Sequence, residues 1–310
     1  MNYSRSIGFV LRFFVTFGIS YWVWTQLQTS NGAPLERIKL APKWAMALPA
    51  AVIMFNTVVH ALRLQILFAA ADRPISFPKL LEAILKGHFV GLVLPMGGSD
   101  LVKMSYLSRV TSASLATGIL GLARLLEMIP WGGALIFGGC MLLTFNLGLG
   151  ILALGCGGLL LLMCGIGIWM SQRNLSAWVN RSPRFFRFVS QLEGALHIIG
   201  GQRRPIAQVT LLGLCFLVMN TICLWGLCHA FQNPLSVLDV LTMFPLIDFL
   251  VSLPISLNGV GVRETVYPLL LETFDFKLEL ALAVAWTRWT GELFRAAVGG
   301  VLFWLDRAKD

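Results

Sequence analysis

The chain has 310 residues, of which 57% are hydrophobic and 13% charged, with a formal net charge of +9. That balance excludes an ordinary soluble domain and marks a polytopic membrane protein. The positive charge then reports loop topology and contact with anionic lipid, not nucleic-acid binding.

Six stretches read as full-span helices, each apolar over the ~18–20 residues that a bilayer crossing needs. The first, 7–27, carries Arg12 and lacks the short apolar region and small-residue cleavage site of a signal peptide, so a retained helix is expected. The second, 44–70, places His60 and Arg63 on one face. A hairpin over 80–110 follows, broken at Leu94-Pro95-Met96-Gly97-Gly98-Ser99-Asp100. The third span, 114–143, holds Arg124 and Glu127 three residues apart, and the fourth is 147–170. Segment 172–205 has Arg173, Arg181, Arg184, Arg187, Arg203 and Arg204 against one acid, Glu193. Its alternating Arg and Phe blocks suit a helix lying along anionic headgroups. After the fifth span, 206–231, a second hairpin over 237–273 holds Asp248 and is broken at 253–264, Leu-Pro-Ile-Ser-Leu-Asn-Gly-Val-Gly-Val-Arg-Glu. The sixth span, 278–305, carries Arg288, Glu292 and Arg295 at spacings of four and three, again on one face. The six cysteines, Cys140, Cys156, Cys164, Cys215, Cys223 and Cys228, all lie in apolar runs and read as small fillers.

Segment 172–205 sets the orientation, because basic loops stay in the cytoplasm. Both termini then lie inside, the first hairpin enters from the cytoplasm and the second from the opposite face. Fifteen of the 24 Lys and Arg residues fall on the cytoplasmic side. Four, Arg37, Lys39, Lys43 and Lys277, fall outside. Crossing fully with either hairpin gives seven or eight spans and spoils this bias. The expected fold is therefore all-α: one membrane domain over 1–310, six full-span helices and two broken re-entrant hairpins. Units 80–143 and 237–305 form an inverted repeat in which an acid precedes an Arg by 24 residues, Asp100 to Arg124 and Glu264 to Arg288.

A charge at bilayer depth costs at least ~2.5–3.5 kcal/mol, so each must have a partner or a purpose. Arg63 and Arg295 lie towards helix ends, where internal ion pairs or snorkelling serve. Arg124 and Arg288 lie about 10 residues in, roughly 15 Å at 1.5 Å per residue, which is too deep to snorkel. An arginine keeps its charge in low dielectric and presents a planar fork to two phosphate oxygens. Gly97-Gly98 and Gly259-Val260-Gly261 allow sharp turns that expose backbone N–H groups to an anion. Ser99 and Asp100 equally fit plain N-caps, and Glu264 can neutralise Arg263. Asp100, Glu127, Asp248, Glu264 and Glu292 can instead bind an ammonium or carry a coupling proton. His60 fits a buried, hydrogen-bonded histidine. No nucleotide loop of the Gly-Lys-Ser/Thr type, no HExxH pair and no CxxC pair occurs. An ATP-driven pump made of this chain alone is thereby excluded, and neither a metal nor a cofactor is expected.

Residues 253–264 closely resemble the signature of the lysylphosphatidylglycerol synthase transmembrane-region family, also called flippase-like membrane proteins: a Pro, a short Gly-rich turn, then Gly-Val-Arg-Glu. Residues 95–103 resemble the family's first-half motif, with Lys103 where Arg is usual. Arg63, Arg124 and Arg288 fall where the family carries helix arginines. The resemblance spans nearly the whole chain and implies movement of a phospholipid or polyprenyl-linked sugar between leaflets. The family's largest members append a soluble aminoacyl-transferase domain; here the chain closes at Asp310, just after its last helix, so that activity is not expected.

The candidate lipid-phosphate residues are Arg63, Lys103, Arg124, Asn258, Gly259, Gly261, Arg263 and Arg288. The candidate ion-pair or coupling acids are Asp100, Glu127, Glu264 and Glu292. The expected partners are membrane lipids, either anionic or zwitterionic phospholipid or polyprenyl phosphate, in a cell inner membrane. Three functions follow: a flippase, a membrane-embedded lipid-modifying transferase, or a non-catalytic accessory protein of envelope lipid synthesis. A transferase needs an acid cluster or a nucleophile–base pair, and neither is legible.

Overall fold

In lipid no water satisfies a free N–H or C=O, so a long apolar run takes the one local conformation that bonds them all within itself, the helix. The computed structural model describes residues 21, 25, 33–93, 98–171, 191, 194–195, 197–199, 201–253 and 259–307, and every regular element among them is helical. In chain order these are α1 (Ala33–Leu40), α2 (Lys43–Ala70), α3 (Phe77–Val93), α4 (Gly98–Leu107), α5 (Ala113–Leu142), α6 (Leu147–Ser171), α7 (Arg203–Ala230), α8 (Val237–Ser252), α9 (Val262–Leu271) and α10 (Leu278–Arg307). A 3-10 turn, Glu272–Phe274, separates the last two.

Four of these helices contain stretches long and apolar enough to cross a membrane: Lys43–Ala70, Ala113–Leu142, Leu147–Ile166 and Arg203–Ala230. They match four of the six expected spans. Apart from residues 21 and 25, the expected span 7–27 lies outside the described residues. The sixth expectation, 278–305, is α10, which has the length at 30 residues but is not among the helices apolar enough to cross. Its Glu279, Arg288, Glu292 and Arg295 are the reason. Most of segment 172–205, including the basic and aromatic stretch 172–190, also lies outside the described residues. Its far end packs inward: Ala195 and Ile199 are buried with residues of α2 and α5, and Gln202 Nε2 donates to the Ala70 carbonyl at 2.9 Å.

Two series of four helices correspond in order and length. α2, α3, α4 and α5 have 28, 17, 10 and 30 residues; α7, α8, α9 and α10 have 28, 16, 10 and 30. The turns after α2 and α7 are the same turn. Asp72 and Gln232 both take left-handed φ, 53° and 60°. Ala71, Asp72 and Arg73 donate to the carbonyls of Leu67, Ala69 and Phe68, while Phe231, Gln232 and Asn233 donate to those of Leu227, His229 and Cys228. Pro74 and Ser76 recur at the same offset as Pro234 and Ser236. Packing follows the same exchange. α10 lies on α2 and α3, α5 lies on α7 and α8, and α2 contacts α7 directly.

Glycines make the closest of these approaches possible, as expected where helix packing rests on van der Waals fit. A Cβ on Gly138 of α5 would collide with the Thr242 carbonyl of α8, and one on Gly299 of α10 with the Leu85 carbonyl of α3. One on Gly291 of α10 would stand 2.6 Å from the Pro49 carbonyl oxygen of α2. Two apolar cores result. One gathers Leu135, Leu224, Phe244, Tyr267 and Ala283 from α5, α7, α8, α9 and α10. The other gathers Leu64, Phe68, Ile84 and Leu122 from α2, α3 and α5. Helices of both cores contribute polar residues to a cavity.

Candidate functional site

The cavity has a volume of about 370 Å³, within the range of small-molecule and headgroup pockets. Helical spacing aims its lining. On α5, Arg124, Glu127, Met128 and Trp131 recur at helical spacing; on α10, Arg288, Glu292 and Arg295 do; on α2, Ile53, Asn56 and His60 do. α3 adds His88, α4 adds Lys103, α7 adds Phe216 and Asn220, and α8 adds Asp248, Phe249 and Ser252. Four cations, Lys103, Arg124, Arg288 and Arg295, thus face three carboxylates, Glu127, Asp248 and Glu292.

The two deep arginines are held differently. Arg288 is clamped: its Nη2 donates to Asn220 Oδ1 at 3.0 Å and to Asp248 Oδ1 at 3.2 Å, and its guanidinium carbon sits 5.0 Å from the centre of the Phe244 ring. Arg124 is loosely held, 3.6 Å from Glu127 Oε2 and 3.7 Å from Asp100 Oδ1, both beyond hydrogen-bond reach. Half of its side-chain surface is open, in the middle of a helix whose neighbouring turns are buried. Lys103 is buried and bonds Asp100 Oδ1 at 3.0 Å. Gly87 makes that position possible, since a Cβ there would stand 2.8 Å from the Lys103 Cγ.

Arg63 does not line the cavity. It lies behind Glu127, fully buried, with Nη1 3.2 Å from Glu127 Oε2 and Nη2 donating to the Ala123 carbonyl at 2.7 Å. Arg295 is likewise mostly buried and pairs with Glu292. Of the two readings for these arginines, both take the internal ion pair and neither snorkels. The expected face shared by Arg288 and Glu292 forms, but Arg288 takes its partners from α7 and α8, because a carboxylate and an amide on facing helices reach it more directly.

The described part of the second glycine-broken turn, 259–264, does not line the cavity. Gly259 and Gly261 take φ 73° and 85°, so the turn requires glycine. The Gly261 N–H is not free for an anion: Glu264 Oε2 accepts it at 2.7 Å and caps α9. Glu264 therefore serves its own helix end. Arg263 is buried with its guanidinium 5.7 Å from the Trp289 ring centre. Asn258 lies outside the described residues, as do 94–97 of the first break. Asp100 is not a simple cap but bridges Lys103 and Arg124.

Sequence reasoning missed Asn56, His88 and Asn220, and it read Asp248 as an acid able to bind an ammonium or carry a coupling proton, not as a partner of Arg288. A signal was available for two of them. Asn56 and His60 share a face of α2, and His60 and Asn220 occupy corresponding positions of α2 and α7 at the Asp72–Gln232 offset. Several cavity-lining atoms have no hydrogen-bond partner among the described residues: both amide atoms of Asn56, His60 Nε2, and the Nε of Arg288 and of Arg295. Buried polar groups are normally satisfied, and other unpartnered atoms, such as Tyr267 Oη and Trp289 Nε1, lie away from the cavity lining.

No curated protein matches the chain. One family model, described as the lysylphosphatidylglycerol synthase TM region, matches residues 9–288. That family is membrane-associated and tied to lipid metabolism or translocation, and the match covers both helix series up to Arg288. This multi-pass, all-helical chain belongs to the lysylphosphatidylglycerol synthase TM region family.

Proposed function

We propose that the protein is a lipid flippase that carries a headgroup phosphate through the cavity on Arg124 and Arg288. One observation carries the reading. The two arginines stand within one residue of corresponding positions in α5 and α10 and line the same cavity of about 370 Å³, and half of the Arg124 side-chain surface is exposed. A polar headgroup would occupy that space while the acyl chains stay in lipid. Arg124 makes the first contact, because its acids are too distant to saturate its donors. Arg288, fixed by Asn220 and Asp248, supplies a rigid second cation. Lys103 replaces the family's usual arginine as a point charge beside Arg124.

The matched helix series, with their exchanged packing partners, support a reading of two inverted repeats that move against each other around the site. In that arrangement the α3–α4 and α8–α9 hairpins are re-entrant from opposite faces, both termini are cytoplasmic, and the membrane is a cell inner membrane. The cargo is an anionic or zwitterionic phospholipid or a polyprenyl phosphate.

The test is translocation by the purified full-length chain in vesicles containing a fluorescent phosphatidylglycerol, followed by quenching of the outer leaflet. Arg124→Ala and Arg288→Ala should each fall to the rate of protein-free vesicles. Arg37→Ala, which removes a partly exposed pair with Glu279, should keep the wild-type rate. Wild-type rates in both cavity variants would sink the proposal.

A further inference from the structure

We infer that the end of the bundle where α10 finishes is held shut by an ionic latch, Lys86 of α3 on Asp306 of α10, while the opposite end closes on apolar contact. The inference rests on the proposed reading of two inverted repeats that move about the cavity, and concerns how each end is closed. Lys86 is 0% exposed, and burying an ammonium is costly unless it is paired. Its Nζ donates to Glu82, one turn away on α3, and to Asp306, 220 positions along the chain. It also stands 4.7 Å from the ring centre of Tyr106 on α4, whose hydroxyl lies 3.5 Å from Asp306 Oδ2.

Three helices therefore meet on one cation. Around it α3 and α10 interlock closely. A Cβ on Gly299 would collide with the Leu85 carbonyl, one on Gly300 would stand 2.9 Å from the Phe89 ring, and the Phe89 and Phe303 ring centres are 5.8 Å apart. His88, Lys103 and Arg295 line the cavity. Lys86 lies nearer the start of α3, Tyr106 one turn further along α4, and Asp306 at the far end of α10. The latch thus sits on one side of the cavity, which the proposed orientation makes cytoplasmic. It is built to release. Glu82 travels with Lys86 on α3, so the lysine keeps a partner when α10 moves off. Glu82 and Asp306 are 39% and 42% exposed, so water can replace the broken contact.

The matched positions of the second series carry no charge. At the offset that pairs Asp72 with Gln232, Glu82 and Lys86 correspond to Thr242 and Leu246 of α8. Counted from the helix starts, Tyr106 corresponds to Leu270 of α9, and Asp306 to Met141 of α5, next to Leu142. Leu142, Leu246 and Leu270 are buried in one apolar core. The Thr242 hydroxyl donates to the Leu238 carbonyl at 2.8 Å, and Phe145 lies against Phe274 with ring centres 5.4 Å apart. Equivalent ends of the two series are therefore closed by different chemistry.

Distances between paired spin labels on the full-length protein in lipid nanodiscs, with the native cysteines replaced, test this. One pair, Val110→Cys with Leu305→Cys, spans the latched end; the other, Thr144→Cys with Leu269→Cys, spans the apolar end. All four positions are exposed. Lys86→Met and Asp306→Asn should each raise the longer-distance population of the first pair about tenfold and leave the second pair unchanged. Lys86→Glu combined with Asp306→Lys rebuilds the contact, with Glu82 beside the new cation, and should restore the wild-type distance. An unchanged first pair in both single variants overturns the inference. So does equal widening of both pairs, which is general loosening, and so does a charge reversal that fails to restore the distance. The labels read no transport, so failure of the lipid reading in vesicles and failure of the latch are separate results.

Discussion

Arg63 of α2 and Glu127 of α5 meet at 3.2 Å between two helices, and Arg124 approaches the same carboxylate oxygen from the cavity side at 3.6 Å. One acid is therefore shared by a fully buried cation and by a half-exposed one that lines the cavity. Removing Arg63 strands Glu127 and empties a buried position. Arg63→Ala should destabilise the protein by about 3–5 kcal/mol, the usual cost of breaking a buried pair. The double variant with Glu127→Gln should cost clearly less than the sum of the two single changes. Unfolding midpoints in detergent check this, and strict additivity would refute the coupling.

The turn before α9 is a second point of leverage. Gly259 combines φ 73° with close quarters, where a Cβ would stand 2.8 Å from Val251 Cγ1 and 3.0 Å from the Val251 carbonyl oxygen. Gly259→Ala should cost roughly 1–2 kcal/mol from the left-handed backbone alone, with the collision added. Gly133→Ala, in a helix interior with open space around the new methyl, should be neutral or stabilising by up to about 1 kcal/mol. Thermal unfolding of the two variants side by side is the measurement, and equal midpoints would contradict the account.

Orientation gives a third test. In a background with the six native cysteines replaced, Thr273→Cys should react with a membrane-impermeant maleimide added to intact cells. It lies in the 3-10 turn between α9 and α10, which the proposed topology places outside. Labelling that requires permeabilised cells would reverse the orientation of the second hairpin.

The sequence reached the class of the protein and much of its charge logic for a definite reason. Hydropathy and helical spacing are local properties, so the long apolar runs 44–70, 114–143, 147–170 and 206–231, and the shared faces of Arg124 with Glu127 and of Glu292 with Arg295, could be read directly. The second glycine-broken turn was legible because a φ of 73° or 85°, as at Gly259 and Gly261, leaves few residues other than glycine. The helices α2 and α7 were not seen to correspond, although Pro74 and Ser76 repeat as Pro234 and Ser236. Their apolar faces carry too little distinctive pattern.

Which polar residues share one space was a different kind of question. Arg263 and Glu264 form the most distinctive motif, yet one is buried beside Trp289 and the other caps its own helix. Asn56, with no motif around it, lines the cavity. Composition and spacing by themselves determined a helical membrane chain with arginines too deep to be incidental. Only the tertiary structure decided that Arg288 is clamped by Asn220 and Asp248 while Arg124 stands open. That difference depends on carboxylates and amides supplied across helix interfaces by residues up to 68 positions away in the chain, a distance over which no local pattern carries information.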